Sequence, residues 1–268
     1  MMQSPRPTRS AGSGRRTISY VLGAFLLAAL AVGAFGLWYL FFRPSGPAAV
    51  ADASLPPVPT SAASSAASAR ASAASSGSSA PGDVSGTWNV DTTIGSFAAN
   101  TSSFVGYRVQ EELAGVGANT AVGRTPNVSG SLTIAGTKVT TAIISADLTT
   151  LKSDDNQRDG QLRRQGIETG TYPNATFTLT APIDLGSVPA EGQEIQVTAT
   201  GQLNLHGQTK DVQVPMRARL SSGVITLSGS IPIVFADYGI QKPNSFKVLT
   251  IADQGTMEFQ LFFSRAAA

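Results

Sequence analysis

The sequence predicts a mainly β fold, an antiparallel β-barrel carrying one short helix, preceded by one transmembrane helix. Three observations predict it. Apolar and polar residues alternate with period two through most of 84–268, and Gly, Asn or Pro separates the alternating runs. One segment, 153–166, breaks that period. Near the amino terminus, 25 consecutive residues at 18–42 carry no charge.

The uncharged run, "ISYVLGAFLLAALAVGAFGLWYLFF", is long enough to cross a bilayer, since about 20 helical residues span a hydrocarbon core about 30 Å thick. Trp38 and Tyr39 stand near its outer end, where amphipathic rings favour the interface. Arg6, Arg9, Arg15 and Arg16 precede the run and only Arg43 follows closely, which predicts a cytoplasmic amino terminus and an exported remainder. The rival reading is a cleaved signal peptide with Ala-x-Ala sites at 49–53, but the apolar run exceeds the usual 7–15-residue hydrophobic region. The expected organisation is therefore a cytoplasmic basic tail at 1–17, a transmembrane helix at 18–42, a linker at 43–83 and a β-barrel domain at 84–268. The linker is Ala, Ser, Pro and Gly with few large apolar side chains, a composition that predicts a disordered stalk.

Within the domain, Ile195, Val197, Ala199, Leu203 and Leu205 share one face, while Gln196, Thr198, Thr200, Gln202 and Asn204 share the other. Val212, Val214, Met216, Ala218 and Leu220 repeat the pattern, as do Ile225, Leu227, Ile231, Ile233 and Phe235. Met257, Phe259, Leu261 and Phe263 close the chain in the same way. With "SFVGYRVQEEL", "GSLTIAG", "KVTTAIISADL" and "NATFTLTAPIDL", about eight or nine strands are expected. One face is dry and one wet, and closure into a barrel hides the edges. In "SDDNQRDGQLRRQG", Ser153 is the expected helix cap. Acidic residues fill the early turns, and Arg163 and Arg164 precede Gly166, as the helix dipole favours. Leu162 and Ile167 are its main apolar residues, so it is expected to lie across the barrel.

Composition narrows the function. With no cysteine and one histidine, disulfides, thiolate metal sites and typical multi-histidine metal sites are excluded. No nucleophile elbow, phosphate loop or dinucleotide fingerprint occurs, so no catalytic residue, metal or cofactor is expected. Residues 1–83 hold six Lys and Arg against two Asp and Glu, whereas 84–268 hold 13 against 15. The basic charge belongs to the tail, and a faintly acidic domain argues against nucleic acid.

A set of motifs in fixed order covers nearly the whole domain. It begins with "WNVD" at 88–91, followed by Ser103, Phe104 and Tyr107, then "RDGQLRR" at 158–164 and "YPNATF" at 172–177. "GQLNLHGQTKDVQVPM" at 201–216 and "DYGI" at 237–240 complete it. Together these resemble the YceI-like family of exported lipid-binding proteins. The resemblance implies a lipocalin-like barrel with the helix near its mouth and an apolar interior for a polyisoprenoid or other long-chain lipid. Gln161 stands where members often carry a histidine in the helical segment, the second strand also lacks one, and Gly166–Ile167 replaces a common aromatic pair.

The residues expected to meet such a ligand are Phe104, Tyr107, Val109, Ile144, Phe177, Leu203, Met216, Ile233, Phe235 and Phe259 on the apolar strand faces. Arg158 and Arg163 are candidates for a charged head group; Arg164, Lys242 and Lys247 are weaker ones. His206, ahead of Gly207, is read as a turn residue. The functional expectation is a membrane-anchored extracytoplasmic carrier, bound to a long-chain lipid and to the membrane through its own anchor, with a homodimer left open. The alternative is a structural or adhesive surface domain with a solid β core.

Overall fold

Period-two alternation becomes twelve strands, and the positions where it fails become the turns and the one helix. The computed structural model describes residues 46–50, 55–58, 83–243 and 246–266. The chain divides into two units, Met1–Ser45 and Gly46–Ala268. The expected tail at 1–17 and span at 18–42 belong to the first and lie outside the described residues. No helix among the described residues is long and apolar enough to cross a membrane.

The strands are β1 (Gly86–Val90), β2 (Phe104–Leu113), β3 (Gly117–Thr125), β4 (Val128–Ala135), β5 (Lys138–Asp147), β6 (Lys152–Ser153), β7 (Asn174–Leu179), β8 (Ile183–Asp184), β9 (Glu194–Leu205), β10 (Gln208–Ser221), β11 (Val224–Val234) and β12 (Val248–Arg265). All pairings are antiparallel. The sheet runs β1-β4-β5-β7-β9-β10-β11-β12, and β12 returns to β1, closing the ring. Along the rest of its length β12 pairs with β2, which pairs with β3. Thus β1 with β2, and β3 with β4, act as two interrupted strands of a closed eight-stranded barrel. The second interruption is Pro126-Asn127, where proline supplies no N–H and Asn127 N donates instead to Thr125 Oγ1 at 3.1 Å. Closure removes the free edges that a sheet of this length would otherwise expose.

Two hairpins show how local sequence fixes register. His206 and Gly207 have φ of 52° and 72°, and Ser222 and Gly223 have φ of 52° and 77°. Both pairs form two-residue turns with positive φ throughout, the geometry that matches strand twist. Register then places Ile195, Val197, Ala199, Leu203 and Val214 inside, as alternation predicts.

The helix α1 (Asn156–Gln161) continues as a π-turn over Leu162–Gly166. Its cap is Asp155, not the expected Ser153: the Asp155 carboxylate accepts from Gln157 N at 2.7 Å and Arg158 N at 3.3 Å. Ser153 belongs to β6, and its hydroxyl donates to Asp159 at 2.6 Å, reaching back into the helix from outside. Leu162 and Ile167 pack on the core with Leu148, Leu151 and Tyr238, so the helix closes one end of the barrel.

A second apolar cluster lies outside the barrel wall. Ile94, Val224 and Phe262 are buried there, with Val58 packed against them. Val50 and Leu55 are buried as well, although they fall in the segment whose composition reads as stalk.

Candidate functional site

The lumen holds a cavity of about 170 Å³. Its walls come from β2, β4, β5 and β7 to β12, and every lining residue is apolar except Gln193 and Arg219. Four inward positions are glycines, and an aromatic ring lies close to each. A Cβ on Gly201 would stand 2.5 Å from Phe177 Cζ, one on Gly229 would stand 2.7 Å from Phe259 Cζ, and one on Gly255 would stand 3.3 Å from Phe235 Cε1. Tyr107 covers Gly123 in the same way. At the cavity itself, Phe177 and Phe259 take the room that a Cβ on Gly201 or Gly229 would need. Small Ala142, Ala146, Ala175, Ala199 and Ala218 add to the space, and Met216 and Met257 supply side chains that adapt to an occupant.

The cavity lies away from the helix. Leu185, Pro189, Gln193, Arg219 and Leu220 line it, and they sit at the end marked by the β10–β11 turn and the loop before β9. No residue of α1 or its π-turn contributes. The helix was expected near the mouth; instead it plugs the far end, where Tyr107, Ile233, Phe235 and Leu162 join the packed core. Gln193 is exposed, so the rim that reaches solvent is the β8–β9 loop and the end of β10.

Of the residues expected to meet a ligand, Ile144, Phe177, Leu203, Met216 and Phe259 line the cavity together. Tyr107, Ile233 and Phe235 point inward but belong to the packed end. The Tyr107 hydroxyl is buried without a partner among the described residues, and burial raises its pKa above the ordinary phenol value. Val109 is inward too, against Gly255. Phe104 is placed otherwise: three positions from Tyr107, it has the opposite parity and lies on the outer wall, with the Arg124 guanidinium 4.1 Å from its ring centroid. Its near-complete burial comes from outer packing and not from the lumen.

Both arginines expected at a head group are spent on the helix. Arg158 donates to Glu111 at 2.7 Å and Asp154 at 2.6 Å, and burial lowers its pKa less than these partners raise it. Arg163 donates to the Leu151 carbonyl at 3.4 Å. The cation at the cavity is Arg219, which residue type alone did not single out. Its Nη2 donates to Leu55 O at 3.2 Å and to Pro56 O, while its Nε is buried without a partner among the described residues. Its parity places it on the wet face with Arg217, and its guanidinium bonds there to the Leu55 and Pro56 carbonyls, while the residue itself borders the cavity at the end of β10.

His206 sits in the turn where the sequence places it. Its Nδ1 lies 2.9 Å from Tyr238 O, its Nε2 lies 3.1 Å from Glu168, and Tyr172 packs on its ring. It is buried, outside the cavity lining, and pins the hairpin to the segment after the helix. Among the described residues, no group of three or more His, Cys, Asp or Glu is placed to hold a metal.

A closed antiparallel barrel with a dry, partly open lumen is the architecture of proteins that enclose a small apolar ligand. A family model described as the YceI-like domain matches residues 88–263. The chain belongs to this family. A polyisoprenoid binding domain from Saccharophagus degradans, implicated in plant cell wall breakdown, is 25% identical. The match covers 67% of this chain and 98% of that one, with a TM-score of 0.52. Burkholderia cenocepacia BcnA is 22% identical over 60% of this chain and 95% of its own, with a TM-score of 0.47. The Campylobacter jejuni YceI protein is 16% identical over 52% and 82%, with a TM-score of 0.43. No curated protein matches the chain.

Proposed function

We propose that this protein holds the hydrocarbon tail of a long-chain lipid, of the polyisoprenoid class, in the barrel lumen. The observation that carries the reading is the cavity: about 170 Å³ with an almost wholly apolar lining. An engineered apolar cavity of about 150 Å³ stays dry and takes benzene, so a space of this size and lining accepts hydrocarbon in preference to water. The family membership and the polyisoprenoid-binding relative support the ligand class. In this reading the tail enters past Leu185, Pro189 and Leu220, and a polar head remains at the rim beside Gln193. The span at 18–42 retains the domain on the outer side of a bacterial cytoplasmic membrane, beside its lipid source. The domain is a carrier or sequestering module, with partition of the tail as its mechanism and no bond made or broken.

Native mass spectrometry of the domain purified without detergent tests this. The expected result is a co-purified lipid, or stoichiometric uptake of a polyprenyl probe. Absence of both, in a protein that melts cooperatively, would contradict the proposal.

A further inference from the structure

The tube opens beside Gln193, and the strand register fixes where it stops. On β2 Val105 faces the cavity, while Tyr107, the next inward residue, does not. The same change falls between Leu203 and Leu205 on β9, between Val214 and Val212 on β10, and between Met257 and Gly255 on β12. Tyr107 and Ile231 are the register partners of Met257 on either side, and neither borders the open space. The floor therefore begins at that row. Behind it stand Phe235, whose ring reaches Gly255, and Leu162, Ile167 and Tyr238 from the helix end and the turn after β11.

This stopper is pinned as well as packed. Arg158 ties α1 to Glu111 of β2 at 2.7 Å. Asp159, itself buried, accepts from Ser153 N at 3.0 Å and from Ser153 Oγ at 2.6 Å on β6. Beyond α1, His206 of the β9–β10 turn lies 3.1 Å from Glu168. Moving the floor to admit more chain would strip these buried groups of their partners, a cost that apolar packing alone does not impose.

The open part measures about 170 Å³, room for about six carbons at roughly 30 Å³ each. An isoprenoid grows in steps of five carbons, so one unit nearly fills the space and a second meets the floor. Met216 and Met257, unbranched and adaptable, give that second unit room. We propose that the barrel is a blind tube that limits chain length: it holds at most two isoprene units, and the floor at Tyr107 and Phe235 sets the limit. This rests on the lumen reading above and deepens it. A longer lipid leaves its surplus carbons outside the rim, where they add nothing to affinity.

Isothermal titration with prenyl phosphates of one to four isoprene units reads the limit. The protein is residues 46–268, a compact unit by itself, purified without detergent. Without a floor, each added unit would raise affinity roughly a thousandfold. The expected series instead levels off at two units, with two, three and four units within about threefold of one another. A climb of about a hundredfold or more from two units to four overturns the floor and leaves the lumen as the site. Binding of no chain length at all overturns the lumen reading, and the floor with it. Phe235→Ala removes a ring from behind the floor. In a variant that still melts cooperatively, three units should bind at least about tenfold more tightly than two. A folded variant that still levels off at two units overturns the placing of the floor at this end; if the variant does not fold, the wild-type series decides.

Discussion

Filling the lumen with a protein side chain should abolish ligand uptake while leaving the barrel folded. Ala199 is the site of choice: it is 1% exposed, lies mid-strand in β9 and lines the cavity. Allotting each methylene-sized group roughly 30 Å³, the share of a water molecule in the liquid, the 170 Å³ cavity takes about six groups. At about 0.8 kcal/mol for each CH₂ withdrawn from water, these contribute about 5 kcal/mol to binding. That corresponds to more than three decades in Kd. In Ala199→Trp the indole occupies the space those groups need. Where the fit is imperfect, overpacking costs about 1–3 kcal/mol of stability. Fluorescent polyprenyl displacement measures the affinity and a urea melt measures the fold. The reasoning predicts a loss of about a thousandfold or more with the melt still cooperative. A Trp variant that folds and binds the probe as tightly as wild type would place the ligand outside the lumen and refute the argument.

Arg219→Leu removes the donor to the Leu55 and Pro56 carbonyls and should cost about 1–3 kcal/mol in a denaturant melt, with probe affinity unchanged. Urea melts and probe titrations of the two proteins check the difference. His206→Ala orphans the Tyr238 carbonyl and the Glu168 carboxylate and should cost about 1–3 kcal/mol in a denaturant melt, with probe affinity unchanged. Asp91 gives a pH test. Burial pushes its pKa up, but hydrogen bonds from Ser264, Thr93 and Ile94 outweigh it and leave the carboxyl below its ordinary value. A depressed folded-state pKa adds stability above the unfolded value and loses it as pH falls through the folded one. The gap between wild type and Asp91→Asn should therefore be full at pH 7 and narrow below about pH 4, followed by urea melts across that range.

Alternation was enough to read the barrel, because a closed sheet with a dry inside obliges every second residue to be apolar. The same rule exposes its own limit at Phe104 and Tyr107. They stand three apart, so they cannot share a face, and residue type alone suggested that both did. Phe104 is buried by Arg124 and the outer loop, a contact that no pattern within one strand reveals. The hollow itself was not legible. Its wall includes Phe177 and Phe259 standing over Gly201 and Gly229, glycines contributed by other strands that only register brings together. The end at which the cavity opens was hidden for a similar reason. A helix with two arginines looks like a mouth, yet Glu111, Asp154 and the Leu151 carbonyl, from separate elements, consume both charges. The docking of residues 46–50 and 55–58 on the outer wall was invisible to composition. Ala, Ser and Pro spell a stalk, and its few apolar residues acquire meaning only against a wall of arginines more than 50 residues away in sequence.

A crystal structure of the domain grown with a polyprenyl probe tests the central claim most directly. Continuous density for the tail, running from the rim at Gln193 and Arg219 inward past Phe177, Met216 and Phe259, is the predicted result. A probe bound on the outer surface above an empty or side-chain-filled lumen would contradict it.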